Sequence, residues 1–310
     1  MPAPTDRLAG ALMVAVAAVA FSGKAIIVKL AYRHGVDAVT LLALRMLYAA
    51  PLFLALVWWA ARGQHVAKLS THDKWKITAV GLLGYYLASL FDFLGLQYIT
   101  AALERLVLFL YPTFVVLYAA VFAGQRIGQR DVFALAVSYA GIALVFISDL
   151  TTQQTNVVLG AFFVLLSALS YAGYLIGSGH LLQRVGSVRF ACLASLAATA
   201  GVLLHFVVVR EVAQLAAQPA PVHGWAMLMA SVSTVLPIVL TSAGIRRLGS
   251  GNAAMISTLG PAATIFLGYA FLGEPITVVQ LAGAALVIAG VVAIALKRDM
   301  GPPVQKLGSE

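Results

Sequence analysis

Charge is what this chain has least of: Asp, Glu, Lys and Arg together make up 10% of its 310 residues, against 62% apolar ones. A soluble chain of that length has no core large enough to hide so much apolar surface. Runs of about 20 apolar residues, the length that spans a bilayer, recur along it. A water-soluble globular class is excluded, and an integral membrane protein with the lipid bilayer as its first partner remains. Cysteine is nearly absent too. The single Cys192 lies inside an apolar run, so no intrachain disulfide can form, and a small buried hydrophobe is its expected role. No H-E-x-x-H, G-x-S-x-G or P-loop pattern occurs, and the six His are scattered without metal-ligand spacing. The expectation is no catalytic residue, no enzyme, no metal and no cofactor. The net charge of +9 is spread over loops and gathered in no patch, which argues against a nucleic-acid partner.

What is present is a repeat. The apolar segments fall at about 8–31, 39–61, 75–97, 100–123, 131–148, 158–180, 189–209, 224–245, 250–272 and 277–296, which makes ten helices. Pro112 matches Pro261, Gly124 matches Gly273, Gly141 matches Gly290 and Gly95 matches Gly244, all displaced by 149 positions. Gly10 with Gly160, Gly23 with Gly173 and Ala50 with Ala200 keep a displacement of 150. The repeat is five helices long, covering 1–150 and 151–300, with 301–310 as a disordered tail that carries a cloning remnant. Five is odd, so the second copy enters the membrane from the opposite side. The expected fold is all-α, ten transmembrane helices in two inverted five-helix repeats.

Loops on the side of the N-terminus hold most of the Lys and Arg, and the opposite loops hold only Arg33 and Arg210. The positive-inside rule then puts both termini in the cytoplasm of a multi-pass inner-membrane protein. Trp58, Trp59, Trp75 and Trp225 fall near helix ends, where an interfacial belt wants them. Loops are too short for a soluble domain, so any function sits in the bundle, with a small-molecule substrate as its partner and a monomer as its expected state.

Polar and aromatic side chains at helical spacing mark the inward faces, since a polar group facing lipid is costly. The sixth helix carries Ser167, Ser170, Tyr171, Tyr174 and Ser178, the third Tyr85, Ser89 and Asp92, and the eighth Ser231, Thr234 and Thr241. We expect Tyr85, Ser89, Asp92, Tyr111, Ser167, Tyr171, Tyr174 and Thr234 to line a substrate cavity near the midplane between the repeats. The alternative for any single Ser or Thr is a hydrogen bond that ties helices together. Pro112, Pro237 and Pro261 sit inside helices, where a missing N–H kinks the chain, and are candidate hinges. Lys24, Arg45, Asp92, Glu104 and Arg105 all belong to the first repeat and to the outer half of the membrane. Either they form a structural ion network or they line an outward vestibule. In the second case Lys24 or Arg105 attracts a substrate carboxylate, and Asp92 pairs with an amine or closes a gate.

Pro261, then Leu-Gly-Glu-Pro at 272–275, then Gly283 and Gly290, closely resemble the signature of the EamA-type branch of the drug/metabolite transporter superfamily. The resemblance covers essentially the whole chain. It implies ten helices in two inverted repeats and the export of small metabolites, often amino acids. The aromatic amino-acid exporters are the nearest in general pattern. In the first copy Gln125 stands opposite Glu274, so a role for Glu274 does not carry over twice; its plainest role is a helix-end or loop hydrogen bond. The reading is an exporter of small zwitterionic metabolites, aromatic amino acids among them. The alternatives are a drug or cation exporter of the same superfamily and, in another class, an intramembrane enzyme or sensor.

Overall fold

The computed structural model describes residues 4–62, 69–122, 128–150 and 156–299. The expected tail at 301–310, the segment 151–155 that follows the expected repeat boundary, and Gln125 lie outside the described residues. Among these residues there is no strand, and ten apolar helices follow one another. They are α1 (Asp6–Tyr32), α2 (Ala38–Ala60), α3 (Thr71–Gly95), α4 (Ala101–Phe122) and α5 (Val132–Leu150). The second set is α6 (Val157–Val185), α7 (Ser187–Val209), α8 (Ala220–Leu248), α9 (Met255–Leu272) and α10 (Val278–Asp299). The first nine contain a stretch long and apolar enough to cross a membrane, and the apolar part of α10, Val278–Ala293, is shorter.

Helix starts are fixed by short polar side chains that satisfy the free N–H groups of a first turn. Asp37 accepts from the Val39 and Thr40 amides ahead of α2, and Ser70 with Asp73 forms a reciprocal capping box on α3. Thr100 accepts from the Leu103 amide on α4. Burial alone would raise the Asp37 carboxyl, but the Thr40 hydroxyl and amide, Arg210 and the Val39 amide together hold it below the ordinary carboxylate range. The outer surface of the bundle is apolar, with Val278, Val208, Phe122 and Phe133 exposed on four different helices. In lipid these are packed, not stranded.

Related glycines make related contacts. A Cβ on Gly95 of α3 would meet Val164 and the Gly160 carbonyl of α6, and one on Gly244 of α8 would meet Val14 and the Gly10 carbonyl of α1. Each of these four residues is the repeat partner of its counterpart. Gly141 against the Gly283 carbonyl and Gly290 against the Ala134 carbonyl do the same for α5 and α10. The helices of one repeat thus pack on those of the other through small residues, as membrane helices do where no hydrophobic effect drives them together.

Pro112 and Pro261 break their helices one turn upstream, whereas Pro51 sits inside an unbroken α2. α4 divides into Ala101–Leu108 and Tyr111–Phe122 around Phe109 and Leu110, three residues before Pro112. The helical segment Ser250–Ser257 runs into α9, which divides at Thr258, three residues before Pro261, ahead of the segment Leu259–Leu267. Phe109 and Thr258 are repeat partners. α8 widens into a π-helical turn at Ser231–Val235 just before Pro237. Its partner α3 has the same widening at Leu82–Leu87 with no proline at all.

Candidate functional site

The five helix-embedded charges of the first repeat converge. The Lys24 ammonium of α1 lies 2.6 Å from Asp92 Oδ2 of α3 and 3.5 Å from Glu104 Oε1 of α4. All three are buried, Glu104 completely, and the two carboxyl groups lie within hydrogen-bonding reach of each other as well as of Lys24. Arg45 of α2 uses a different set of partners. Its Nε donates to Thr234 Oγ1 of α8 at 3.0 Å, an Nη donates to Ser89 Oγ at 3.3 Å, and its guanidinium lies 5.6 Å from the centre of the Phe93 ring. Arg105 of α4 donates to Ser22 Oγ at 3.4 Å and packs between the rings of Phe21 and Phe109.

Next to this cluster stands a tyrosine wall. The Tyr85 and Tyr174 hydroxyls are 3.2 Å apart, with ring centres 5.2 Å apart and nearly perpendicular. Tyr171 stacks on Tyr174 at 5.6 Å and meets Tyr111 edge-on at 5.1 Å. These geometries are the favourable ones for aromatic pairs. Charges and tyrosines border one cavity of about 380 Å³ between the repeats. Tyr85, Ser89, Asp92, Tyr111, Ser167, Tyr171, Tyr174 and Thr234 all line it, as do Lys24, Arg45 and Arg105. Glu104 stands behind Lys24 and does not. Of the candidate hinges, Pro237 reaches the wall, whereas Pro112 and Pro261 act on backbone further away.

Some residues of the expected stripes point elsewhere. Ser170 donates to the Leu83 carbonyl, Ser178 to Leu175 and Ser231 to Met227, and none of the three borders the cavity. For Ser231 the cause is the π turn that starts there, because its wider pitch no longer aligns residues three apart. The wall there is made instead by Ser233, which periodicity alone does not single out.

The cavity runs toward the N-terminal side, where Leu182, Ser187 and Ile245 line it. The opposite side is latched. Lys29 Nζ donates to the Ile99 carbonyl at 2.6 Å and pairs with Glu274 at 3.4 Å. Both Glu274 oxygens accept from the Ala101 amide, at 3.1 and 3.2 Å, and so cap α4 from the α9–α10 turn. Asp149 at the end of α5 accepts from the Thr100 amide and hydroxyl. Glu274 was visible in the sequence as a helix-end group, but its partners Lys29 and Ala101 lie far away in the chain. Asp149 carried no signal beyond being an acid at a helix end.

The model of the EamA-like transporter family matches residues 8–147 and again residues 158–296. A Bacillus subtilis protein, the uncharacterized transporter YcbK, is 34% identical over 282 residues, 90% of each chain. A probable terminal-alkyne amino-acid exporter of Streptantibioticus cattleyicolor is 30% identical over 210 residues, 64% of this chain and 66% of that one. One solved crystal structure shares the fold, with a TM-score of 0.65 at 18% identity over 94% of this chain and 99% of the other.

Proposed function

Because this chain belongs to the EamA-like transporter family, within the drug/metabolite transporter superfamily, we propose that it exports small zwitterionic metabolites, amino acids including aromatic ones. The observation that carries this reading is a cavity bordered by three cations, the Asp92 carboxylate and four tyrosines. Charged groups fix the polar end of an amino acid, and the tyrosines offer large apolar faces with hydroxyls that orient the side chain. The S. cattleyicolor relative, an amino-acid exporter by name, supports the substrate class.

The same geometry supports transport by alternating access. Solute enters from the N-terminal side, where the cavity is reachable, and leaves when the Lys29–Glu274 latch parts and the N-terminal side closes. The backbone breaks before Pro112, Pro237 and Pro261 are the natural places to absorb that change, since freed carbonyls there hold fewer intrahelical bonds. The basic loops orient the protein in the cytoplasmic membrane with both termini inside. A reporter fused after Arg247 is expected to face the cytoplasm, and one inserted after Ala217 to face outward. The reverse labelling would turn the direction of transport around.

The substrate is tested by counterflow in liposomes with a panel of amino acids, with and without a pH gradient. Phenylalanine, tyrosine and tryptophan are expected to exchange, and no exchange by any amino acid would overturn the reading. Tyr171→Ala and Tyr174→Ala then test the wall. An aromatic contact is worth about 0.5–1.5 kcal/mol, so aromatic solutes should lose about two- to tenfold in apparent affinity while alanine is nearly unchanged. Equal losses for every solute would make these tyrosines structural.

A further inference from the structure

Arg105 is the guanidinium of the cluster that spends fewest of its donors on protein partners, and it lines the cavity. Its side chain is 5% exposed, its Nε has no hydrogen-bond partner, and its single hydrogen bond, to Ser22, is long at 3.4 Å. Arg45, by contrast, spends Nε and one Nη on Thr234 and Ser89. Among the described residues neither guanidinium is ion-paired, while both membrane carboxylates face Lys24. With all five groups ionised the cluster carries one positive charge more than it has negative ones. A guanidinium out of water without an anion is unfavourable, and its planar fork of donors matches a carboxylate in two parallel hydrogen bonds. The pocket around it is shaped for that group. Ser22 donates to the Gly260 carbonyl and so holds α9 against α1, and a Cβ on Gly260 would come within 2.7 Å of an Arg105 Nη and 3.3 Å of its Nε. Gly260 leaves room for the guanidinium, and Phe21 and Phe109 flank it.

We propose that Arg105 is the anchor for a substrate carboxylate and that the site holds no group assigned to an α-amine, so that N-acylated and other aromatic monocarboxylates are substrates alongside amino acids. The inference rests on the transport reading above and widens its substrate class. Asp92 and Glu104 both face Lys24, so an amine would have to compete with that ammonium for either of them. A carboxylate on Arg105 would also bring the cluster to neutrality, whereas a cation would add to its excess.

Three probes of one shape separate the possibilities: phenylalanine, N-acetylphenylalanine and phenylalaninamide. Each is measured by thermal stabilisation of the purified protein and by liposome counterflow. The two acids are expected to bind and exchange, with the amide about ten- to a hundredfold weaker, the range for losing a hydrogen bond to a charged group. Arg105→Lys keeps the charge and loses the forked edge, and Gly260→Ala keeps Arg105 and crowds its guanidinium. Both variants should raise the apparent KM for the acids about tenfold or more, with little change in maximal rate for the folded fraction. If N-acetylphenylalanine exchanges and phenylalanine does not, the inference stands and the amino-acid reading falls. If phenylalanine exchanges and N-acetylphenylalanine does not, or the amide equals the acids, the inference falls and the transport reading stands. If neither acid binds nor exchanges, both fall.

Discussion

Lys24→Ala is expected to remove most export and to lower the melting temperature, and Asp92→Asn to do both to a smaller degree. Lys24 is the cation for two buried carboxyl groups at 2.6 and 3.5 Å, so its loss strands the pair away from water without a cation. Breaking a buried pair from one side costs about 3–5 kcal/mol, a large part of the stability of a domain. Asp92→Asn leaves Lys24 with Glu104, and the cost is smaller. The double variant should lose less than the two single losses added together, because the second change removes a group that the first had already left unpaired. Melting of the detergent-purified protein reads the stability arm, and counterflow at equal folded protein reads the transport arm. Wild-type stability and activity in both single variants would mean that the cluster does not hold α1, α3 and α4 together. Additive losses would mean that Lys24 and Asp92 act separately.

Much of this architecture is legible from spacing alone. Ten apolar runs, a displacement of 149 or 150 that pairs Gly95 with Gly244, and prolines at matching points fix the helices and their duplication. Their repetition is a one-dimensional signal. The tyrosines and small polar residues that border the cavity were found because lipid does not tolerate such groups at the midplane, which is again a local rule. What spacing misses is three-dimensional. The π turn at Leu82–Leu87 lacks a proline to announce it and packs against α6 and α7, and at the matching one, Ser231–Val235, Ser233 and not Ser231 borders the cavity. The choice of Lys24 over Arg45 or Arg105 as the partner of Asp92 depends on which helix faces turn together. No sequence interval encodes that. The latch is the same case: Lys29, Ala101 and Glu274 meet only because three helix ends share one side of the membrane.

Glu274→Ala is expected to open the side opposite the N-terminus. In the latched state Glu274 caps α4 through the Ala101 amide and pairs with Lys29, whose ammonium also holds the Ile99 carbonyl. Loss of a helix cap costs about 0.5–2 kcal/mol, and the half-buried ion pair adds a further fraction. These contacts join α1, the α3–α4 turn and the α9–α10 turn, so they weigh on the closed state and not on a state in which those elements have parted. A loss of about 0.7–3 kcal/mol there shifts the ratio of latched to unlatched protein about three- to a hundredfold. The shift is read by a thiol placed at Ile99, which is fully buried when latched, in a Cys192→Ala background that removes the chain's own cysteine. A membrane-impermeant maleimide added from that side should label Ile99→Cys about threefold faster or more in the Glu274→Ala protein. Glu274→Gln keeps an acceptor for the Ala101 amide but not the charge for Lys29, and should fall between the two. Lys29→Ala should speed labelling as well, and adding it to Glu274→Ala should bring little further change, because the two side chains act through one contact. An unchanged labelling rate together with a lower melting temperature would reduce Glu274 to a cap on α4 and leave the opposite side held shut by other contacts.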